Sequence, residues 1–174
     1  FTLAPTATPT PTPTNTKAPG RTVYVNLAPS MSSVARDQLF TVDIQVVAGA
    51  QPIDGAEIHL FFDQLFLQVV DASGNPTDRI QSSGLLSQVI RNKVYTDTQQ
   101  ARVYFAAGIY DPEEPRPSGT FVLATVRFKA LWGTGAGSTP LTFGIELPYK
   151  TEVTSGGGSV LAGVGNGSVT ISGP

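Results

Sequence analysis

Along most of the chain, apolar and polar residues alternate one by one. In "DQLFTVDIQVVAG", Phe40, Val42, Ile44 and Val46 alternate with Thr41, Asp43 and Gln45. "RTVYVNLAP" sets Val23, Val25 and Leu27 against its other residues in the same way. Successive side chains of a strand face opposite sides, so this rhythm marks strands with one buried face. "ARVYFAAG", "GTFVLATVRFKAL", "TPLTFGIEL" and "GSVTISG" add β-branched and aromatic runs, with Gly, Pro, Asn and Asp in the gaps. One stretch departs from period two. "DRIQSSGLLSQVIRN" spaces Leu85, Leu86, Val89 and Ile90 as one short helical face, although Gly84 weakens a helix there. Eight or nine short strands of this kind predict an all-β sandwich.

The stretch "GAEIHLFFDQLFLQVVDA" holds the chain's single histidine, His59, between Glu57 and Asp63. Acid, histidine and acid within a few residues resemble a catalytic grouping. The alternation argues otherwise. Ala56, Ile58, Leu60 and Phe62 form the core row of a strand, and Glu57, His59, Phe61 and Asp63 form the outward row. Neighbours in that row stand about 7 Å apart along the strand, and no Ser or Cys nucleophile shares it. A face carrying an acid, an imidazole and a phenyl ring suits contact with another molecule better than plain solvent.

Residues 1–20 are a different material. "APTATPTPTPTNTKAPG" alternates Pro and Thr and carries one charge, Lys17. Such a run favours polyproline II and acts as a semi-rigid spacer. Its threonines are the type that O-glycans decorate on extracellular proteins. A tract like this cannot build its own core, so holding it in one place requires outside contacts. Phe1 and Leu3 are the candidate anchors, onto a neighbouring copy of the chain. The organisation expected is a tail over 1–20 and a β-sandwich over 21–174.

Composition narrows the function. The 174 residues are enough for one core, hydrophobic residues make up 40%, and charged residues only 14%, which leaves room for a partly covered surface. A net charge of −2 offers no basic field for nucleic acid or an anionic membrane. No apolar run reaches the roughly 20 residues of a membrane span. The chain starts without Met and shows no charged leader, as expected of a processed or excised piece. With no cysteine there are no disulfides, thiolate metal sites or Cys nucleophiles.

Read in order, "PIDGAEIHLFFDQLFLQVVDASG", "DQLFTVDIQV", "GTFVLATVRFKAL" and "GNGSVTI" resemble cohesin domains of bacterial cellulosome scaffolds. The last three resemble the second, seventh and ninth cohesin strands. The resemblance runs from about Thr22 to Ser172. It implies a sandwich of about nine strands with jelly-roll topology and a non-catalytic, extracellular or cell-surface role. It also implies a dockerin partner, which brings its own calcium, seated on the sheet of strands 8, 3, 6 and 5. Glu57, His59 and Phe61 would lie on that sheet. Glu57 matches an acidic contact position, Gly55 departs from a frequent Asn, and Phe61 makes the face more apolar.

Other chemistry is weaker. "DASGNPTDRIQS" starts like a calcium loop through Asp71, Ser73 and Asn75, but Pro76 replaces the turn glycine and Ser82 the terminal acid, so an Asx turn is expected. "YDPEEPRP" reads as a solvated loop rather than a carboxylate pair. "SGGGS" lacks the context of a phosphate cradle, and Trp132 reads as a strand-end anchor before a sugar platform. No catalytic residues, metal or cofactor are expected. Two assembly roles remain, a receptor for a dockerin-type partner and a filament or layer subunit joined to other copies through its tail. A carbohydrate-binding module with a sugar ligand ranks third.

Overall fold

A computed structural model describes residues 20–96, 100–135 and 137–173. Among these lie fourteen strands: β1 (Val23–Ala28), β2 (Met31–Ala35), β3 (Leu39–Gly49), β4 (Gly55–Asp63), β5 (Leu67–Val69), β6 (Gln81–Ser82), β7 (Gln88–Tyr95), β8 (Gln100–Gly108), β9 (Gly119–Ala130), β10 (Thr139–Phe143), β11 (Glu152–Ser155), β12 (Gly158–Ser159), β13 (Leu161–Gly165) and β14 (Gly167–Ser172). Three of these are continuations of a preceding run, β2 of β1, β11 of β10 and β14 of β13. With each pair counted once, and the two-residue β6 and β12 set aside, the sandwich has the nine strands expected.

One sheet runs β13-β1-β3-β9-β5, with β6 also on β9. The other is centred on β4, which pairs with β8 along its whole length on one side and with β10 and β11 on the other. β7 continues this sheet beyond β8, and β14 and β2 continue it beyond β10. The first and last strand runs both cross between sheets, with β1 parallel to β13 in one and β2 parallel to β14 in the other. That double crossing closes the ends of the sandwich.

The inward rows supply the core. Val23, Val25, Ile44, Val46, Val126 and Phe128 come from the first sheet, and Ile58, Leu60, Phe62, Val103 and Phe105 from the second, all buried. Phe62 meets Phe128 edge to face across the two sheets, with ring centres 5.3 Å apart. Burial of this aromatic and branched surface is the main stabilising term.

The helical expectation for "DRIQSSGLLSQVIRN" is corrected, since the segment holds β6, a bend and β7. Of the four residues of the expected helical face only Leu86 is buried, whereas Leu85, Val89 and Ile90 are exposed. A helix would need all four on one buried stripe. The tail over 1–19, with its candidate anchors Phe1 and Leu3, lies outside the described residues.

Candidate partner-binding face

Gly55, Glu57, His59, Phe61 and Asp63 occupy alternate positions of β4, and the inward positions between them are buried. Register with β8 sets Glu57 opposite Ala106, His59 opposite Tyr104 and Phe61 opposite Arg102. β7 adds Arg91, Lys93 and Tyr95 beside these same three residues. On the other flank Glu152 stands opposite Glu57, and Thr154 opposite Gly55. The outward row of β4 is therefore the middle of a four-strand face.

His59 lies on this face but is not open on it. Its exposure is 2%. Tyr104 stacks on the imidazole with centres 4.4 Å apart, and Tyr149 tilts against it at 5.7 Å. Glu57 Oε1 lies 3.0 Å from Nε2, and Arg102 Nη1 lies 3.3 Å from Nδ1. A guanidinium can only donate, so Nδ1 accepts from Arg102 and Nε2–H donates to Glu57. This is the neutral ring. Burial pushes the imidazole below its ordinary value, Glu57 works against that, and Arg102 adds to it. Burial, then the bond to and the charge of Glu57, push the Tyr104 phenol up.

Arg102 is the hub of the face. Its guanidinium carbon is 3.9 Å from the Tyr149 ring centre, 4.8 Å from Tyr95 and 5.8 Å from Tyr104. Each close contact of this kind contributes roughly 0.5–2 kcal/mol. Three of the chain's five tyrosines thus enclose one cation instead of lying in an open row.

Tyr149 comes from a strap, residues 144–151, that interrupts the β10–β11 run. The backbone of His59 pins both of its ends. Gly144 N donates to His59 O at 2.8 Å, and His59 N donates to Thr151 Oγ1 at 3.2 Å. Thr151 N closes the base of the strap on Gly144 O. A Cβ at Gly144 would collide with the carbonyl of Tyr149, so this close approach requires glycine. Phe61 packs edge-on against Tyr149 at 5.8 Å. The strap tip is apolar and open, with Ile145 65% and Leu147 85% exposed.

At the opposite end of the face a trough of about 360 Å³ runs over Gly55, Ala106 and Gly108. Exposed Ile90 and Tyr110 line it, together with Glu57 and Glu152. A Cβ at Gly55 would come within 2.6 Å of Thr154 Oγ1, so the departure to glycine leaves the floor clear. Burial works to raise Glu152, but hydrogen bonds from Lys150 and Ser159 outweigh it and hold the carboxyl below its usual value.

The remaining candidates take structural parts. Asp71 Oδ1 accepts from Ser73 N at 2.8 Å and Asn75 N at 2.9 Å, which is the expected Asx turn. The bond from Asn75 N leads in holding its carboxyl below the usual range. Asp111 accepts from Glu113 N, and Glu114 from Ser87, within an exposed loop. Trp132 is half exposed, and Arg36 covers its ring at 4.3 Å. A larger cavity of about 600 Å³, lined by Phe62, Leu67, Val94 and Leu131 among others, touches none of the outward row.

Sequence reasoning reached Glu57, His59 and Phe61 but missed Arg102, Tyr104 and Tyr149. The first two were within reach, because alternation in "ARVYFAAG" puts Arg102 and Tyr104 on one row. Tyr149 carries no local signal, since its place depends on how the strap lies over β4.

Comparison with solved structures identifies the fold. CaCohA2 of Clostridium acetobutylicum superposes with a TM-score of 0.64 at 18% identity, over 90% of this chain and 94% of that one. A non-cellulosomal cohesin from the archaeon Archaeoglobus fulgidus gives 0.58 at 20% identity, over 87% and 91%. The Coh-OlpC-Doc435 cohesin–dockerin complex of Clostridium thermocellum gives 0.67 at 11% identity, over 90% and 96%. No family model and no curated protein matches the sequence. The described residues have a cohesin-like fold.

Proposed function

From a cohesin-like sandwich with a preformed aromatic face, we propose that this chain is a non-catalytic docking module, secreted or held at a cell surface. It receives a dockerin-type partner on the outer face of β7, β8, β4 and β10/β11. The observation that carries this reading is the caged Arg102. Tyr95, Tyr104, Tyr149, Glu57 and His59 fix one another, so the face needs little ordering on contact, and preorganisation strengthens binding. Several structures of the same fold are complexes with dockerins.

The partner surface that fits is an amphipathic helix. Its apolar ridge would lie between the strap tip, Ile145 and Leu147, and the Ile90–Tyr110 wall of the trough. Glu57 and Phe61 would make direct contact, with His59 supporting them from beneath. Both ring nitrogens of the single histidine are taken up within this network, by Glu57 and Arg102, which supports a binding role for it. The Pro/Thr residues 1–20 would act as a spacer beside the sandwich of 21–174.

Immobilised full chain challenged with a panel of calcium-loaded dockerin modules tests the reading. Saturable binding is expected from at least one, lost in a Glu57→Arg, Phe61→Asp double variant that retains its fold by circular dichroism. Absence of binding across the panel, or binding indifferent to the double variant, overturns it.

A further inference from the structure

We propose that the strap 144–151 is an acid-released clasp on the docking face, opened when His59 takes a second ring proton and expels Arg102 from over Tyr149. This rests on the docking reading for its purpose, but its geometry stands independently.

In the neutral ring both nitrogens are satisfied, Nε2–H by Glu57 and Nδ1 by Arg102. Protonation keeps the direction of the Glu57 hydrogen bond, because Nε2 donates there in either state, and adds charge attraction to it. The hydrogen bond that is lost is the one at Nδ1. There a new N–H would confront Arg102 Nη1 at 3.3 Å, donor against donor and cation against cation. Arg102 is the part able to move, since His59 is a buried backbone anchor.

The surrounding charges do not cancel this. On β4, Glu57 favours the imidazolium, and it already serves both His59 and Tyr104. On β8, Arg102 opposes it. On β7, Lys93 is bound to Asp78, Tyr95 lies under Arg102, and Arg91 stands 5.8 Å from Tyr104. On β11 and the strap, Glu152 is occupied by Lys150 and Ser159. Burial outweighs Glu57 and keeps the ring neutral until the medium is acidic.

When Arg102 leaves, Tyr149 loses the guanidinium held 3.9 Å from its ring and keeps the farther, tilted His59 ring at 5.7 Å and the edge of Phe61. The strap ends stay tied to the His59 backbone. The middle of the strap therefore lifts while the sandwich stays folded, and Ile145 and Leu147 leave the face with it.

The experiment follows the full chain by NMR between about pH 7.5 and pH 5, the range in which histidine changes charge. It reads the His59 ring proton, and the hydrogen-exchange protection of the Tyr149 amide, which bonds to Glu146 O, corrected for intrinsic exchange. Protection at Tyr149 should fall about tenfold in step with His59 titration, as loss of a strong cation–π contact implies. His59→Gln, whose amide can accept from Arg102 and donate to Glu57 at any pH, should abolish the step. Unchanged protection in the wild type, or the same step in His59→Gln, overturns the proposal. Should that variant not fold, Arg102→Met serves, with a loose strap and no step expected at any pH, and a surviving step overturns the clasp. No partner enters these measurements, so they fail or succeed separately from dockerin binding at neutral pH.

Discussion

Phe62 and Phe128 join the two sheets ring to ring, and both are buried. Replacing Phe62 with Ala removes the ring and leaves a cavity that rigid neighbouring strands close only in part. Phe62→Ala should destabilise the sandwich by about 3–5 kcal/mol, read from urea unfolding. His59 acts on stability through its charge. The folded ring is held below the ordinary value of 6.5, first by burial and then by Arg102, with Glu57 opposing. The unfolded chain therefore binds the proton more readily than the folded one. The neutral ring's contribution is complete above pH 6.5 and is lost as pH falls toward and through the depressed folded value. His59→Gln should flatten that part of the stability–pH curve, and urea midpoints measured from neutral to mildly acidic pH check it.

The β4 strand shows what an element adds to its residues. Its two faces were legible, because period two has one solution once Ile58, Leu60 and Phe62 are taken as core. Its enclosure was not, because the rings over His59 come from β8 and from the strap, and alternation within one strand carries no information on its neighbours' register. The β6–β7 stretch misled for a related reason. Leu85, Leu86, Val89 and Ile90 have helical spacing, yet three of the four are exposed along an edge that helps to frame the candidate docking face. Gly55 was visible as a departure and unexplained until β11 was placed beside it. Thr154 fills the space that a side chain at 55 would use, its hydroxyl donating to Asp54 Oδ1 at 2.8 Å. Gly55→Asn alone should cost roughly 1–3 kcal/mol through this clash. Combined with Thr154→Ala it should cost less than the two single changes summed, and a double-mutant cycle measured by urea unfolding gives the coupling.

At the scale of the whole molecule, the described contacts of the N-terminal side centre on the first strand. Thr22 N and Val23 N both donate to Val160 O, and β1 is then held between β3 and β13, whereas Gly20 and Arg21 are exposed. Among the described residues, the strands of both sheets run from Val23 to Ser172. Proline and threonine supply little apolar surface to add to this core, and a polyproline II tract extends by about 3.1 Å per residue, so in the proposed spacer role residues 1–20 would reach roughly 60 Å. Deletion of residues 1–20 should therefore leave unfolding free energy within about 0.5 kcal/mol of the full chain, as for changes remote from packed structure. Dockerin binding should be equally unaffected, and both the full and the shortened chain should elute as monomers, the shortened one slightly later as it loses the extended tail. The filament alternative gives the opposite result, with the full chain assembling and the shortened one eluting as a monomer. The two readings separate on one column, because a tether acts by its length alone, while an assembling tail must bury Phe1 and Leu3 against another copy.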